Sequence, residues 1–560
     1  MTSLIKKRKD GRDYYYAVRS ARVDGKPRIV WQKYLGPVDA VIRKLANGEV
    51  VEPEYSLSFY FGGPAALLSI AEWLGIKDII DRHVPKRGQG PSVGDYLLLC
   101  AINRVLSPTT KTQLAEWYQE TILERLWKFS PDCFTSQHFW NHMDRLGEEE
   151  IAAIETDITK RVVKVLKLDL ECLLYDATNF FTYIDSRNDR CKLPQRGHSK
   201  EKRADLRIVG LALVVTRHFK IPIFHQPYEG NISDSTQFSS VVCALADRFK
   251  KLSKDCQDLT LVFDKGNNSQ DGMLFTQIEH MHFVGSLTPT DQLELLEIPL
   301  EKFQEVCEER WPGVRAYRTR TQAMGQEWPC VITFSEHFYS QQLHGWVVQL
   351  TKATAQLEGL NKNISKEANN RRTKKSVEQR VKEILAPLPF RETITVNIIE
   401  HEAGRFSLKY KSDTAAFNKF VGRRGGKTIL FTDRDNWSNE DIIAAYRGQS
   451  EIEGSFRLMK ADDYLHWQPM FHWTDSKIRV HAFYCVLALL LVSVLTKRLH
   501  DSGLNLPPEK ILDALTDMEE TVLLYPGREG SQSTNTTYSK LKPTQKKIFD
   551  ILELDRWRQT

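Results

Sequence analysis

The nine cysteines of this chain include no Cys-x-x-Cys pair, and their number is odd. A disulfide framework is therefore not expected, and free thiols in a reducing cytoplasm are the simplest reading. No secretory signal pattern precedes them, and no internal repeat is visible. The longest apolar run, Ala482 to Leu495, is too short to span a bilayer and reads as a buried core helix, so no membrane partner is expected. His280 and His282 have no second pair at zinc-ligand spacing, which argues against a zinc site. Nor is the charge one-sided. The 560 residues carry a net charge of +6, with 27% charged and 41% hydrophobic residues. That balance excludes a disordered chain and fits a soluble protein with several domains.

The cations cluster. Lys6-Lys-Arg-Lys9 opens the chain, Lys200, Lys202 and Arg203 lie close together, and residues 362–382 hold eight Lys or Arg against Glu367 and Glu378. Each run alone is an ordinary solvated face; together they form a plausible footprint for a polyanion.

Along the chain, Tyr14 to Ser20 and Arg28 to Tyr34 flank Asp24-Gly25 and read as a basic β-hairpin module within residues 1–50. Such a hairpin could contact DNA or pack on its neighbour. Residues 51–168 read as a helical N-terminal domain, with periodic segments at 65–73, 93–105, 112–117 and 148–166. Thr110 to Trp117 has the look of a helix-turn-helix start, a weak signal: DNA binding is the expected role of this domain, and packaging the catalytic domain is the alternative. From 169 the rhythm becomes α/β. Leu170 to Asp176 and Leu259 to Asp264 are apolar runs that each end in an aspartate, and Arg207–Thr216 with Phe219–Tyr228 form a hairpin. Residues 289–427 interrupt this pattern with expected strands at Gly345–Thr351 and Thr393–Glu400 and a basic helix near 356–385. The α/β rhythm resumes over 428–496, and 497–560 form a polar C-terminal region with a final helix near 544–553.

The most informative stretch is Tyr446-Arg-Gly-Gln-Ser-Glu-Ile-Glu-Gly-Ser-Phe-Arg-Leu-Met-Lys460. Ser438-Asn-Glu-Asp441 is a capping box that starts its helix. Tyr446, Glu453 and Lys460 recur every seven residues, close to two turns, with Gln449 and Arg457 on the same stripe. Ile452, Phe456 and Met459 form the adjacent apolar stripe. A solvated face with (i, i+4) ion pairs is the bland alternative. Three carboxylates on rigid elements, Asp176, Asp264 and Glu453, instead suit a two-Mg²⁺ centre for phosphoryl transfer.

Taken together these motifs resemble the DDE transposases of bacterial insertion sequences, in the group with a Y-x2-R-x3-E-x6-K signature. Tyr175-Asp-Ala-Thr178 resembles the first-acid motif and Asp264-Lys-Gly-Asn267 the second. Gly197-His-Ser-Lys200 and Glu229 to Asp234 resemble stretches between them, and Tyr446, Glu453 and Lys460 match the signature in spacing. The resemblance covers about 170–495. It implies an RNase-H-like α/β catalytic core (169–288 and 428–496) interrupted by a mixed, largely β insertion (289–427). It also implies Asp176, Asp264 and Glu453 as ligands of Mg²⁺, with Mn²⁺ able to substitute. Tyr446, Arg447, Gln449, Arg457, Lys460 and Lys265 would contact DNA phosphates, His198 and Asp234 would lie behind the acids, and Trp346 is a candidate to stack on a flipped base. Cut-and-paste transposition of double-stranded DNA by a homodimeric synaptic complex, nucleoid-associated in the cytoplasm, is the implied function. The sequence departs from the signature at Gln449, where an Arg is expected. A nuclease without strand transfer and a catalytically decayed DNA-binding relative are the alternatives.

Overall fold

A computed structural model describes residues 2–9, 12–23, 26–40, 42, 53–86, 88–185, 187–197, 203, 205–252, 256–366, 373–461, 464–525 and 533–559. The Asp24-Gly25 turn and His198, Ser199, Lys200 and Lys202 lie outside these residues. The chain divides into two compact units.

The smaller unit comprises Met1–Tyr60, Met518–Lys540 and Gln559–Thr560. The expected hairpin is present as Arg12–Val23 and Lys26–Pro37, and Thr2–Lys9 adds a third antiparallel strand. That strand was hidden by its cations, but it alternates well enough to pair Leu4 with Ala17 and Lys6 with Tyr15. A second three-stranded sheet joins Tyr55–Tyr60, Glu519–Tyr525 and Ser533–Tyr538. The C-terminal region was expected to be loop-rich, and these two late strands were missed.

The larger unit spans Phe61–Asp517 and Leu541–Arg558. Its N-terminal part is helical, as expected, from Gly62–Leu74 and Val93–Leu106 to Glu148–Leu166. The chain then enters β1 (Cys172–Thr182), β2 (Arg207–Thr216) and β3 (Pro222–Glu229), an antiparallel meander. α1 (Asp234–Lys251) crosses to β4 (Thr260–Val262), and α2 (Gln270–Ile278) crosses to β5 (His282–Leu287). β4 is parallel to β1 and β5 is parallel to β4. Leu261, Val262, Phe263, Phe283 and Val284 are fully buried, which is why these short strands are continuous apolar runs rather than alternating ones.

The interruption differs from the expectation. β6 (Gln304–Glu305), β7 (Val314–Ala323) and β8 (Gln326–Ser335) extend the same sheet. α3 (Glu336–Ile364) follows, so Gly345–Thr351, expected as a strand, is helical. Val347, Val348 and Thr351 favour strands locally, but Trp346, Leu350, Ala353, Leu357, Leu360 and Ile364 recur at three- and four-residue steps. All six join one hydrophobic cluster, and burying that stripe outweighs the β-propensity. α4 (Lys374–Leu385), the hairpin β9 (Ile394–His401) and β10 (Arg405–Ser412), and α5 (Thr414–Arg424) complete that cluster. The inserted body from Glu336 to Arg424 is thus mainly helical, not largely β.

β11 (Lys427–Thr432) returns to the sheet between β8 and β5, giving the order β6-β7-β8-β11-β5-β4-β1-β2-β3. α6 (Asn439–Arg447) and α7 (Gln449–Lys460) follow, then α8 (Asp475–Asp501). By length and composition α8 could cross a membrane, longer than its apolar run suggested, but 94% of its apolar window is buried inside the chain. It packs against the helices Gly62–Leu74 and Val93–Leu106.

Candidate metal and nucleic-acid site

The β1–β4 ladder pairs Cys172 with Thr260, Leu173 with Leu261 and Leu174 with Val262, a constant offset of 88 residues. Asp176 and Asp264 have the same offset, 264 − 176 = 88. Both acids thus lie two residues past the last pair of the ladder, Leu174 with Val262. Asp176 accepts the Ala177 N–H at 2.8 Å. Asp264 stands at the end of β4, and its Oδ1 accepts from the Ser286 hydroxyl and the Tyr446 hydroxyl, both at 3.0 Å. Tyr446 also reaches Ser286 Oγ at 2.8 Å. Three elements, β4, β5 and α6, thereby fix one carboxylate. Burial pushes the Tyr446 phenol well above its usual range, and the charges of Asp264 and Glu453 add to this against the opposing Ser286 hydrogen bond. The phenol stays neutral and remains a donor.

The Tyr446–Lys460 stretch is not one uninterrupted helix. At Gly448 the bonding tightens: its N–H reaches the Ala445 carbonyl at 3.1 Å, and its carbonyl accepts from Glu451 at 2.8 Å. A Cβ at Gly448 would come within 3.1 Å of Leu174 Cδ2, so a small residue lets the junction lie against β1. The next residue, Gln449, donates from Nε2 to the Tyr175 carbonyl at 2.8 Å, while its Oε1 is buried without a partner among the described residues. Lys460 places its ammonium 5.6 Å from the centre of the Phe180 ring.

These contacts align α7 with one face of β1. Leu174, Asp176, Thr178 and Phe180 alternate onto the same face, and α7 runs along it from Leu174 to Phe180. At 1.5 Å per helical residue, Glu453 lies about 7.5 Å along from Gly448. At about 3.3 Å per strand residue, Asp176 lies about 6.6 Å along from Leu174. The third acid, Glu453, is carried by α7. Its side chain is exposed, and among the described residues no three His, Cys, Asp or Glu side chains are gathered closely enough to hold a metal ion. The carboxylate oxygens of Asp176, Asp264 and Glu453 are of the hard class that Mg²⁺ or Mn²⁺ prefers.

The other expected contacts are distributed around this edge. Lys265 is exposed directly after Asp264, and Arg457 is exposed on α7. Arg447 is exposed and stacks its guanidinium 5.0 Å from the Trp311 ring centre, with its pKa lowered by partial desolvation and by Arg310. Gln449, expected on the outward stripe with Arg457, is only 6% exposed and faces the sheet. Asp234 accepts from the Tyr228 hydroxyl at 3.0 Å, and together with Asp176 it helps raise the pKa of that phenol after burial. Trp346 packs edge-on against Phe420 at 5.0 Å inside the inserted body's core. Sequence reasoning missed Ser286; its signal was a lone hydroxyl in the apolar run Phe283-Val-Gly-Ser-Leu287.

No family model matches the chain, and no curated protein matches it. Among solved structures seven chains match. One belongs to the cryo-EM structure of a piggyBac transposase synaptic complex with hairpin DNA, similar over 83% of this chain and 82% of that chain, with 10% sequence identity and a TM-score of 0.35.

Proposed function

We propose that this protein is a DDE transposase that carries out cut-and-paste transposition of an insertion sequence. The observation that supports the reading best is the 88-residue offset that Asp176 and Asp264 share with the parallel β1–β4 ladder, with Glu453 on the later helix α7. The β1-β2-β3 meander followed by two parallel crossovers is the RNase-H-like core in this reading.

Asp176, Asp264 and Glu453 would hold Mg²⁺ or Mn²⁺, which supplies charge neutralisation at the scissile phosphate. Tyr446 and Ser286 fix the rotamer of Asp264 by hydrogen bonding. Lys460, Arg447, Arg457 and Lys265 present cations to the phosphates of the strand end, which sets register without reading bases. One site serves two steps: water cleaves at the terminal inverted repeat, then the freed 3′-hydroxyl attacks the target duplex. Two ends must be held together, so the working form is a homodimer acting on chromosomal DNA.

The test uses the purified protein and duplexes that carry the ends of the DNA flanking its gene. Cleavage that needs Mg²⁺, is confined to inverted repeats and joins those ends to a second duplex is the expected result. Cleavage without joining would make it a nuclease. Unchanged Mg²⁺-dependent cleavage by Glu453→Ala would sink the assignment.

A further inference from the structure

On the other side of Gly448 the larger unit holds a cavity of about 720 Å³. Arg217, Lys220 and Arg447 line one side, and Leu458, Leu489 and Val492 another. The sole acid in its wall among the described residues is Glu451, which pairs with Lys220 at 3.4 Å. No acidic side chain among the described residues pairs with Arg217 or Arg447. Two arginines without an acidic partner among the described residues thus line one volume, and guanidinium is the group best shaped for bidentate contact to phosphate. The size lies within the range of small-ligand sites, and so does the mixture of an apolar wall with a few cations.

The backbone at the rim is costly. Phe219 and Lys220 have φ of +63° and +56°, the condition of a type I′ turn, which Asn-Gly meets without strain. Here a ring and a long cation occupy both positions. The turn is held by the Thr216 hydroxyl donating to the His218 carbonyl at 2.7 Å, by the Ile221 N–H donating to that hydroxyl at 3.1 Å, and by Ser493 donating to the Lys220 carbonyl at 3.1 Å. The strained pair is thereby held at the cavity wall, where Lys220 meets Glu451.

The geometry points to a nucleotide site: this cavity takes a nucleoside phosphate, free or as the phosphorylated end of a strand. The phosphate lies between Arg217 and Arg447, and the apolar wall receives the base or sugar. No bond is made or broken. Arg447 is shared with the proposed strand-end contacts, whereas Arg217 and the 219–220 turn take no part in the proposed metal centre.

Binding is measured by calorimetry and fluorescence anisotropy on the full chain, without divalent metal and in an Asp264→Asn background, so that loss of DNA cleavage does not affect the readout. The probes are a deoxynucleoside monophosphate, a short single strand with a 5′-phosphate, the same strand without it, and inorganic phosphate. The monophosphate and the phosphorylated strand are expected to compete for one site, with the unphosphorylated strand about tenfold weaker or more. Arg217→Glu should weaken both ligands by at least about the same factor. The double change Phe219→Asn with Lys220→Gly should raise the melting temperature while weakening binding, which a merely structural turn would not do. If the double change lowers the melting temperature instead, Arg217→Glu alone decides. No binding of either phosphorylated probe, or binding indifferent to both the terminal phosphate and Arg217→Glu, overturns the proposal.

Discussion

The two sides of Gly448 treat similar side chains in opposite ways. On or next to the junction, Tyr446 and Gln449 point inward and use their polar atoms on the protein, on Asp264 and on the Tyr175 carbonyl. Beyond it, Glu453 and Arg457 are exposed. All of these residues belong to one stripe when the stretch is read as a single helix. The difference arises from what lies opposite. β1 and β4 offer a backbone carbonyl and a carboxylate to the first pair, and nothing in the described structure bonds the second. A stripe of polar residues is thus split into a positioning half and a half free to meet a ligand.

The largest expected effect tests whether the two halves serve one centre. Asp176→Asn or Asp264→Asn should reduce Mg²⁺-dependent cleavage by about a hundredfold to a thousandfold, the range for loss of a charge-stabilising group. Glu453→Gln should cost about as much activity while leaving the melting temperature unchanged, because the side chain is exposed. Steady-state cleavage rates with parallel thermal melts decide this. Full activity in Glu453→Gln would detach the outward half from the centre.

Next in size is Gln449→Arg, which restores the cation that the transposase signature carries. At a site 6% exposed the guanidinium would be buried without a carboxylate, and the bond to Tyr175 would be lost. The expected destabilisation is about 3 kcal/mol, with no gain in activity. A variant as stable as the parent and faster at cleavage would show that the position belongs with the outward half.

Much of this was legible from residues alone, and the failures have definite causes. The two apolar runs ending in Asp176 and Asp264 marked buried strands, because continuous apolar runs of that length have few alternatives, although β1 runs on past Asp176 to Thr182. The capping box at Ser438 started α6 as read, with Ser438 and Asp441 bonding reciprocally. The buried stripe Ile452, Phe456 and Met459 is buried. The register between β1 and β4 was not legible, since pairing of strands 88 residues apart is set by long-range packing. The break at Gly448 was not legible either, because its backbone dihedrals stay helical and only the hydrogen bonding changes. α3 was misread in part because Val347 and Val348 carry a strand signal that its stripe of six apolar residues overrides.

A smaller effect is expected from Tyr446→Phe, the inward half's own hydroxyl. The change leaves Asp264 with Ser286 as its hydroxyl donor. It should cost about 1 kcal/mol of stability and about tenfold in cleavage rate, with DNA affinity unchanged, because the hydroxyl is directed at Asp264 rather than at solvent. Equal loss of affinity and rate would place this hydroxyl on the DNA.

The smallest effect belongs to Arg457→Gln. An exposed cation with no carboxylate fixed to it among the described residues contributes little to the fold, so stability should move by no more than about 0.5 kcal/mol. If the outward half meets DNA, each phosphate contact releases condensed counterions. The slope of log affinity against log salt should then fall by about one, and binding should weaken a few-fold, equally for cognate and unrelated duplexes. Lys460→Gln is the companion measurement. It removes a comparable contact but also the cation over Phe180, which adds about 0.5–1 kcal/mol of destabilisation. A salt slope that both variants leave intact would turn α7 back into a solvated face, and Glu453 would then lose the charged neighbours that mark it as part of a phosphate site.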